Sequence, residues 1–407
     1  MISRFKKSIT IVVLLVIIFV FLHIKSHPRL SVFYEINQDE NNSTFDAELT
    51  SILIDTLNQL EIPGMQVAIK IYGDVHNYNI GTVDYERTER VGEDNVFKIA
   101  SVTKIFTSTL VLKLAEEGYF NLDDTIDKWF PELINSETIT IRTLLNHTSG
   151  VYSYTENFAL QCKALLNPRK LWTEKEIYEY ILKGKPAFEP REEYRYSNSN
   201  YVLLGIICEK ATGMEYEELL YDKIIDKLNL QNTCILPYDE TPEKLVKGYD
   251  RDVIPLGIKR IETFNDSLSS LAYSAGAIVS NCNDLIEFYS SLLSGEIISD
   301  KYLDEMMTFI DCTDEDLYVQ TGYGLGLRRF EIGGHVLIGH TGTIPGYGGL
   351  LMYNADKDYI IAALANISYF NQIAVLTEII NYIDSREANS FIMEAYDESC
   401  YICRWSN

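Results

Sequence analysis

Positive charge is the first thing this chain is short of. Lysine and arginine number 35 against 59 aspartates and glutamates, a formal net charge of −24. That argues against a nucleic-acid partner, because neutralising a phosphate backbone takes a basic surface. Histidine is scarce too. The six present show no His-Glu-x-x-His or other ligand spacing, so no metal is expected. Cysteine is sparse and odd in number, seven in all, so the set cannot pair completely within the chain. Cys400-Tyr-Ile-Cys403 is the sole Cys-x-x-Cys and lacks the second pair that a zinc site would need. A chain of 407 residues builds a core large enough to do without disulfide staples.

Two further absences concern the N-terminus. Arg4, Lys6 and Lys7 precede the run Ile9–Leu22, which is apolar apart from Thr10. Fourteen residues is the length of a signal h-region, and extension through His23 and Ile24 makes a marginal anchor. No small-x-small cleavage site precedes Lys25-Ser26-His27-Pro28, and no lipobox cysteine follows. The expectation is a retained signal-anchor over residues 1–30, with a cleaved signal as the alternative. Either way the basic flank stays inside and the remainder faces outward. Residues 31–44, polar and rich in asparagine, read as a tether.

What is present is a set of three short motifs in order. Ser101-Val-Thr-Lys104 follows the short apolar run Asn95–Ala100 and opens a helical pattern from Val102 to Glu117, stopped by Gly118. Ser101 therefore falls at a helix N-terminus, with Lys104 one turn later on the same face. The helix is apolar on most sides, so burial should lower the Lys104 pKa and make its amine a base for the neighbouring hydroxyl. Tyr196-Ser-Asn198 lies in a polar stretch before the helical run Val202–Ala211 and supplies a phenol for proton relay and an amide for bridging. His340-Thr-Gly342 ends the apolar run His335–Gly339, a strand edge that glycine keeps clear for a substrate backbone. The N–H of Thr343 could then join that of Ser101 as an oxyanion hole. Each motif is weak alone. Ser-x-x-Lys recurs at Ser3-Arg-Phe-Lys6, and Tyr-x-Asn at Tyr119-Phe-Asn121 and Tyr369-Phe-Asn371.

Order and context make the set specific, and four longer phrases extend it: Lys98-Ile-Ala-Ser-Val-Thr-Lys104, Thr143-Leu-Leu-Asn-His-Thr-Ser-Gly150, Tyr196-Ser-Asn-Ser-Asn-Tyr-Val-Leu-Leu-Gly205 and Gly339-His-Thr-Gly-Thr-Ile-Pro-Gly-Tyr347. The chain resembles the penicillin-recognising serine hydrolases that include class C β-lactamases and D,D-peptidases. The resemblance implies Ser101 as acylated nucleophile, Lys104 as its base and Tyr196 as proton shuttle. It implies Asn198 as a substrate-orienting amide, His340 and Thr341 as contacts to the substrate's carboxylate end, and Thr343 with Ser101 as the oxyanion hole beside Gly342. Class C β-lactamases usually carry lysine where this chain has His340. A histidine there attracts a carboxylate only part of the time near neutral pH, so carboxylate binding is expected to strengthen as pH falls through its pKa.

The organisation fits an α/β (α+β) fold of the β-lactamase/transpeptidase type. Phe45–Leu60 reads as a helix, Gly64–Tyr72 and Val75–Val83 as a hairpin, and His335–Gly339, Gly348–Tyr353 and Tyr359–Ala365 as strands before a last helix lined by Ile373, Leu376, Ile380 and Ile383. One antiparallel sheet built from both chain ends is expected within a domain spanning 45–384, with a mostly helical lobe at about 118–320 and a tail at 385–407. The leading expectation is an extracytoplasmic D,D-carboxypeptidase-like serine hydrolase acting on a small peptide, amide or ester, without a cofactor. β-Lactamase or esterase activity by the same residues is one alternative, and a non-catalytic penicillin-binding scaffold another. Oligomeric state is not legible.

Overall fold

The computed structural model describes residues 44–84, 89–251, 258–260, 265–313, 317, 319–368 and 370–386. The N-terminal apolar segment, residues 31–43 of the tether, and Cys400 with Cys403 lie outside the described residues. Among those described, no helix is long and apolar enough to cross a membrane. Cys162, Cys208, Cys234, Cys282 and Cys312 are free thiols.

Strands numbered in chain order are β1 (Gly64–Ile71), β2 (Asp74–Gly81), β3 (Phe97–Lys98), β4 (Cys234–Ile235), β5 (Tyr249–Arg251), β6 (Ile258–Arg260), β7 (Ile278–Ser280), β8 (Ile310–Asp311), β9 (Gln320–Tyr323), β10 (Arg328–Ile332), β11 (His335–Ile344), β12 (Tyr347–Asn354) and β13 (Tyr359–Ala365). Eight of them form one sheet in the order β2-β1-β13-β12-β11-β10-β9-β8, antiparallel at every step. The first and last strands of the chain, β1 and β13, are therefore neighbours one strand in from the β2 edge, with Met65 opposite Ala365 and Ile71 opposite Tyr359. The β1–β2 hairpin turns on Tyr72 and Gly73, both at positive φ (55° and 88°), the geometry whose twist suits a two-residue hairpin.

Side-chain alternation divides the sheet between two cores. Val67, Ile69, Ile361, Ala363 and Ala365 pack with Leu49, Leu53 and Leu57 of helix Thr44–Leu60 and with Leu376 and Ile380 of helix 372–386. The intervening Ala68, Ile360, Ala362 and Leu364 join the larger core on the opposite face. Strands buried on both faces carry apolar residues almost continuously, which is why β13 reads Tyr-Ile-Ile-Ala-Ala-Leu-Ala without a polar position.

The lobe expected at about 118–320 contains a helix that belongs to the sheet instead. Cys282–Leu293 turns an apolar stripe of Leu285, Phe288 and Leu292 inward, and Tyr289 Oη donates to the Ile338 carbonyl of β11 at 2.9 Å. Lys70 of β1 donates to Ser290 Oγ at 2.9 Å. Helices at Ile141–Leu145, Phe158–Leu166, Glu174–Lys183, Asn198–Thr212, Tyr216–Leu220 and Asn265–Ala272 contribute to the second lobe.

One buried cation leaves a mark on stability. Lys98 on β3 is buried, donates to Ser269 Oγ at 2.7 Å, and burial pushes its amine down to about 7 despite the attraction of Asp266. The folded chain then binds fewer protons at this site than the unfolded chain between about pH 7 and the ordinary lysine value, so the site's penalty is full below pH 7 and fades as pH rises. Lys98→Met is expected to stabilise the fold at pH 7 by about 1–3 kcal/mol. The difference from the parent should shrink towards pH 10, as measured by urea unfolding across that range. A difference that stays constant with pH would contradict this.

Candidate active site

The approach to Ser101 is a short strand and a strained turn. β3 pairs with β7, and the Ile99 N–H donates to the Ile278 carbonyl at 3.0 Å, which fixes the chain just before the turn. Ala100 takes φ 49°, a left-handed conformation uncommon for a residue with a Cβ. Ala100–Val102 then form one 3-10 turn, and the α-helix proper runs from Thr103 to Glu116. The expected helix start is therefore displaced by one residue, with Ser101 inside the turn that precedes it. Twelve of that helix's fourteen residues are buried, so it runs through the larger core, and Lys104 is fully enclosed.

Lys104 Nζ has three polar neighbours: Ser101 Oγ at 3.1 Å, Asn198 Oδ1 at 2.8 Å and the Ala275 carbonyl at 2.8 Å. Burial, and then the positive charge of Arg328, holds its pKa well below the ordinary lysine range. The neutral amine has two hydrogens and one lone pair. The two carbonyl-type oxygens accept the hydrogens, and the lone pair is left for the hydrogen of Ser101 Oγ. This arrangement can draw a proton from the serine hydroxyl.

Tyr196 is half-buried, and its ring lies 5.0 Å from Lys104 Nζ on one side and 4.7 Å from the Arg328 guanidinium carbon on another. The Arg328 guanidinium, joined by Lys104 once it has taken the Ser101 proton, favours negative charge developing on the phenol oxygen during proton transfer. Tyr194 sits elsewhere, with its hydroxyl accepting from Gln320 at 3.3 Å, so Tyr196 is the phenol next to the lysine. Asn198 opens the helix Asn198–Thr212 rather than lying in a loop before it, with Ser197 as the cap residue. Its amide links Lys104 to Thr155 Oγ1 at 3.1 Å, and its backbone N–H donates to Ser153 Oγ at 3.2 Å.

His340, Thr341, Gly342 and Thr343 lie within β11, not at its exit, because the strand continues to Ile344. β10 accompanies β11 only from Ile332↔His335 to Arg328↔Gly339, so His340–Ile344 have no strand beside them on that side. That open edge runs past the turn that carries Ser101. A Cβ on Gly342 would lie 2.3 Å from the Ile99 carbonyl oxygen and 3.0 Å from the Ser101 nitrogen, a closeness only glycine permits. Gln372 supports the strand from behind by donating to the Gly342 carbonyl at 2.7 Å. Thr343 is exposed.

His340 departs from its expected behaviour. Its ring has no solvent exposure, and its nitrogens face Tyr323 Oη at 3.1 Å and the Thr341 carbonyl. Burial, then the charges of Arg328 and Lys104, holds it well below the ordinary histidine value. A neutral, enclosed imidazole cannot provide attraction that grows as pH falls. The permanent cation beside Tyr196 is Arg328, 5 % exposed, which donates to Gln320 Oε1. Sequence reading missed it, though a signal existed. In Arg328-Arg-Phe-Glu-Ile332 the burial alternates, so Arg328 shares the inward face with Phe330 and Ile332 while Arg329 points towards Asp311 at 2.7 Å. His147, inside a phrase noted above, was also given no role, and its ring lies 4.4 Å from that of Tyr196, tilted by 41°.

A small open pocket lies beside Tyr196, lined also by Tyr152, Ser153 and the Glu156–Arg195 ion pair. Three carboxylates, Glu209, Glu215 and Glu217, converge near the far end of the Asn198–Thr212 helix, remote from Ser101.

Fold and site together define a serine hydrolase in which the hydroxyl is paired with a buried lysine. The chain belongs to the β-lactamase family, whose profile matches residues 49–379. It is similar to penicillin-binding protein 4* of Bacillus subtilis, 26% identical over 72% of this chain and 66% of that one. It is also similar to a β-lactamase of Psychrobacter immobilis, 28% identical over 53% of this chain and 52% of that one. The chain thus spans about half to two thirds of the length of these curated relatives. Among solved structures, a D-stereospecific amidohydrolase from Streptomyces sp. aligns at TM-score 0.72 and 30% identity, covering 82% of this chain and 97% of that one. The D-amino acid amidase of Ochrobactrum anthropi in complex with D-phenylalanine aligns at 0.75 and 26%, covering 84% of this chain and 100% of that one.

Proposed function

We propose that this hydrolase cleaves amide bonds at a D-configured residue, as a D,D-carboxypeptidase-like enzyme whose substrate ends in a free carboxylate. Ser101 Oγ attacks the substrate carbonyl while Lys104 takes its proton, and the N–H groups of Ser101 and Thr343 hold the oxyanion. Tyr196 passes a proton to the leaving amine, and the acyl–Ser101 ester is then hydrolysed by water activated through the same groups. Asn198 orients the substrate amide, and the β11 edge at His340–Thr343 receives its backbone.

The observation that carries the preference for a carboxylate end is Arg328, a buried and permanently charged guanidinium against the Tyr196 ring. The similarity to a D-stereospecific amidohydrolase and a D-amino acid amidase supports D-stereospecific amide hydrolysis. The N-terminal apolar run supports export, with residues 1–30 as anchor or signal and the 45–384 domain outside the cytoplasmic membrane.

A substrate panel tests the reading: an acyl-D-Ala-D-Ala peptide, its L,L counterpart, D-phenylalanine amide and nitrocefin, each with purified protein at pH 7. Turnover of the D,D-peptide should exceed that of the neutral amide, with the L,L-peptide inert and nitrocefin slow. Rapid saturable nitrocefin hydrolysis would make β-lactamase the better name. Faster turnover of D-phenylalanine amide than of the peptide would make the enzyme an amidase for free D-amino-acid amides.

A further inference from the structure

Behind Tyr196 lies a row of buried polar groups that the chemistry above leaves unused. The backbone N–H of Ser197 donates to His147 Nδ1 at 3.2 Å. His147 Nε2 lies 3.1 Å from Tyr323 Oη, and Tyr323 Oη lies 3.1 Å from His340 Nε2. His340 Nδ1 faces the Thr341 carbonyl. Both rings and the phenol are fully buried.

The polarity of this row follows from its two ends. A backbone N–H can only donate, so His147 Nδ1 must accept, and the Asn200 amide nitrogen at 3.0 Å points at the same lone pair. His147 therefore carries its hydrogen on Nε2 and donates to Tyr323 Oη. At the other end a carbonyl can only accept, so His340 carries its hydrogen on Nδ1 and its Nε2 must accept. Tyr323 Oη also has the oxygen of Tyr201 within hydrogen-bond reach, but the His340 Nε2 lone pair faces Tyr323 and needs a donor, so the Tyr323 hydrogen goes to His340. Tyr201, the phenol beside it, spends its hydrogen on the Leu145 carbonyl at 2.9 Å. Both imidazoles must be neutral for the row to close. Burial and the facing charges of Lys104 and Arg328 drive both that way.

We infer that Tyr323 is a positioning residue, whose hydroxyl closes a one-way hydrogen-bond chain fixing the Tyr196 turn against the open edge of β11. His147 grips both neighbours of Tyr196, since its carbonyl accepts from the Arg195 N–H at 3.1 Å while its ring accepts from Ser197. His147 itself sits at φ 60°, a conformation that its surroundings must hold. Thr341 at the other end precedes Gly342, the residue packed on the Ser101 nitrogen. The chain thus ties the phenol from the helical lobe to the strand from the sheet. Both its ends are backbone amide groups that do not ionise, so it sets geometry and does not conduct protons.

The kinetic part rests on the serine acyl-transfer reading, but the polarity does not. In the full chain labelled with ¹⁵N-histidine and assigned by single replacements, His147 should appear as the Nε2–H tautomer and His340 as the Nδ1–H tautomer. Neither should titrate between about pH 5 and 8, where an ordinary imidazole would. Either ring in the opposite tautomer, or titrating in that range, overturns the inference. In Tyr323→Phe, kcat per penicillin-labelled Ser101 should fall about 100-fold, the scale of an ångström's misplacement, with KM changed less than about threefold. Unchanged kcat per labelled site would reduce Tyr323 to a packing residue and overturn the proposal. Should that variant fail to fold, the spectrum of the parent still decides. A parent that is never labelled at Ser101 would instead sink the hydrolase mechanism and leave the tautomers standing.

Discussion

Ser101→Ala abolishes covalent capture of a fluorescent penicillin or a fluorophosphonate and lowers amide hydrolysis by about five to six orders of magnitude, as loss of a covalent nucleophile does elsewhere. Intact-mass measurement before and after the probe is the check, with a mass shift expected in the parent alone. The expectation comes from geometry: a half-buried hydroxyl 3.1 Å from an amine whose two hydrogens are already taken by Asn198 and the Ala275 carbonyl. Lys104→Ala removes the acceptor and should slow labelling by about 10²–10⁴-fold. The sign of the pH dependence is also set. Acylation needs the neutral amine, so it fails as pH falls through the Lys104 pKa, and burial places that limb well below where an ordinary lysine would put it. Equal labelling of Ser101→Ala and parent would remove the nucleophile from the scheme.

The sequence shows the sheet because period-two apolar runs at both ends have no other use, and the last helix because Ile373, Leu376, Ile380 and Ile383 share one face. The Ser101–Lys104 pair was equally legible, since a three-residue separation at a helix start fixes its own geometry. Arg328 and the His147–Tyr323–His340 row were not. Their meaning depends on which residues of β9, β10 and β11 come to lie beside the turn at Tyr196, and strand neighbours more than a hundred residues away in sequence leave no local pattern. His340 was misread for the same reason. Its position in the motif was visible, but its full burial beneath Tyr323 was set by the neighbouring strands.

Arg328→Met should separate substrates by their charge. The side chain keeps comparable bulk on the inward face of β10, while the guanidinium against Tyr196 is lost. For a peptide ending in a free carboxylate, kcat/KM should fall by about 10²–10³-fold, the cost of removing one partner of a buried charged contact. The methyl ester of the same peptide carries no charge there and should change much less, so the acid-to-ester ratio is the quantity to measure. A second effect acts through the base. Arg328 stands next after burial among the causes that depress the Lys104 amine, so its removal must raise that pKa. The acid limb of acylation should then move to higher pH. Because a guanidinium stays charged throughout, carboxylate binding by the parent should be flat from about pH 6 to 9, in contrast to the rise on acidification that a titrating His340 would produce. An acid-to-ester ratio unchanged in Arg328→Met would show that the cation serves only Tyr196 and Gln320, and that the substrate's charged end is held elsewhere.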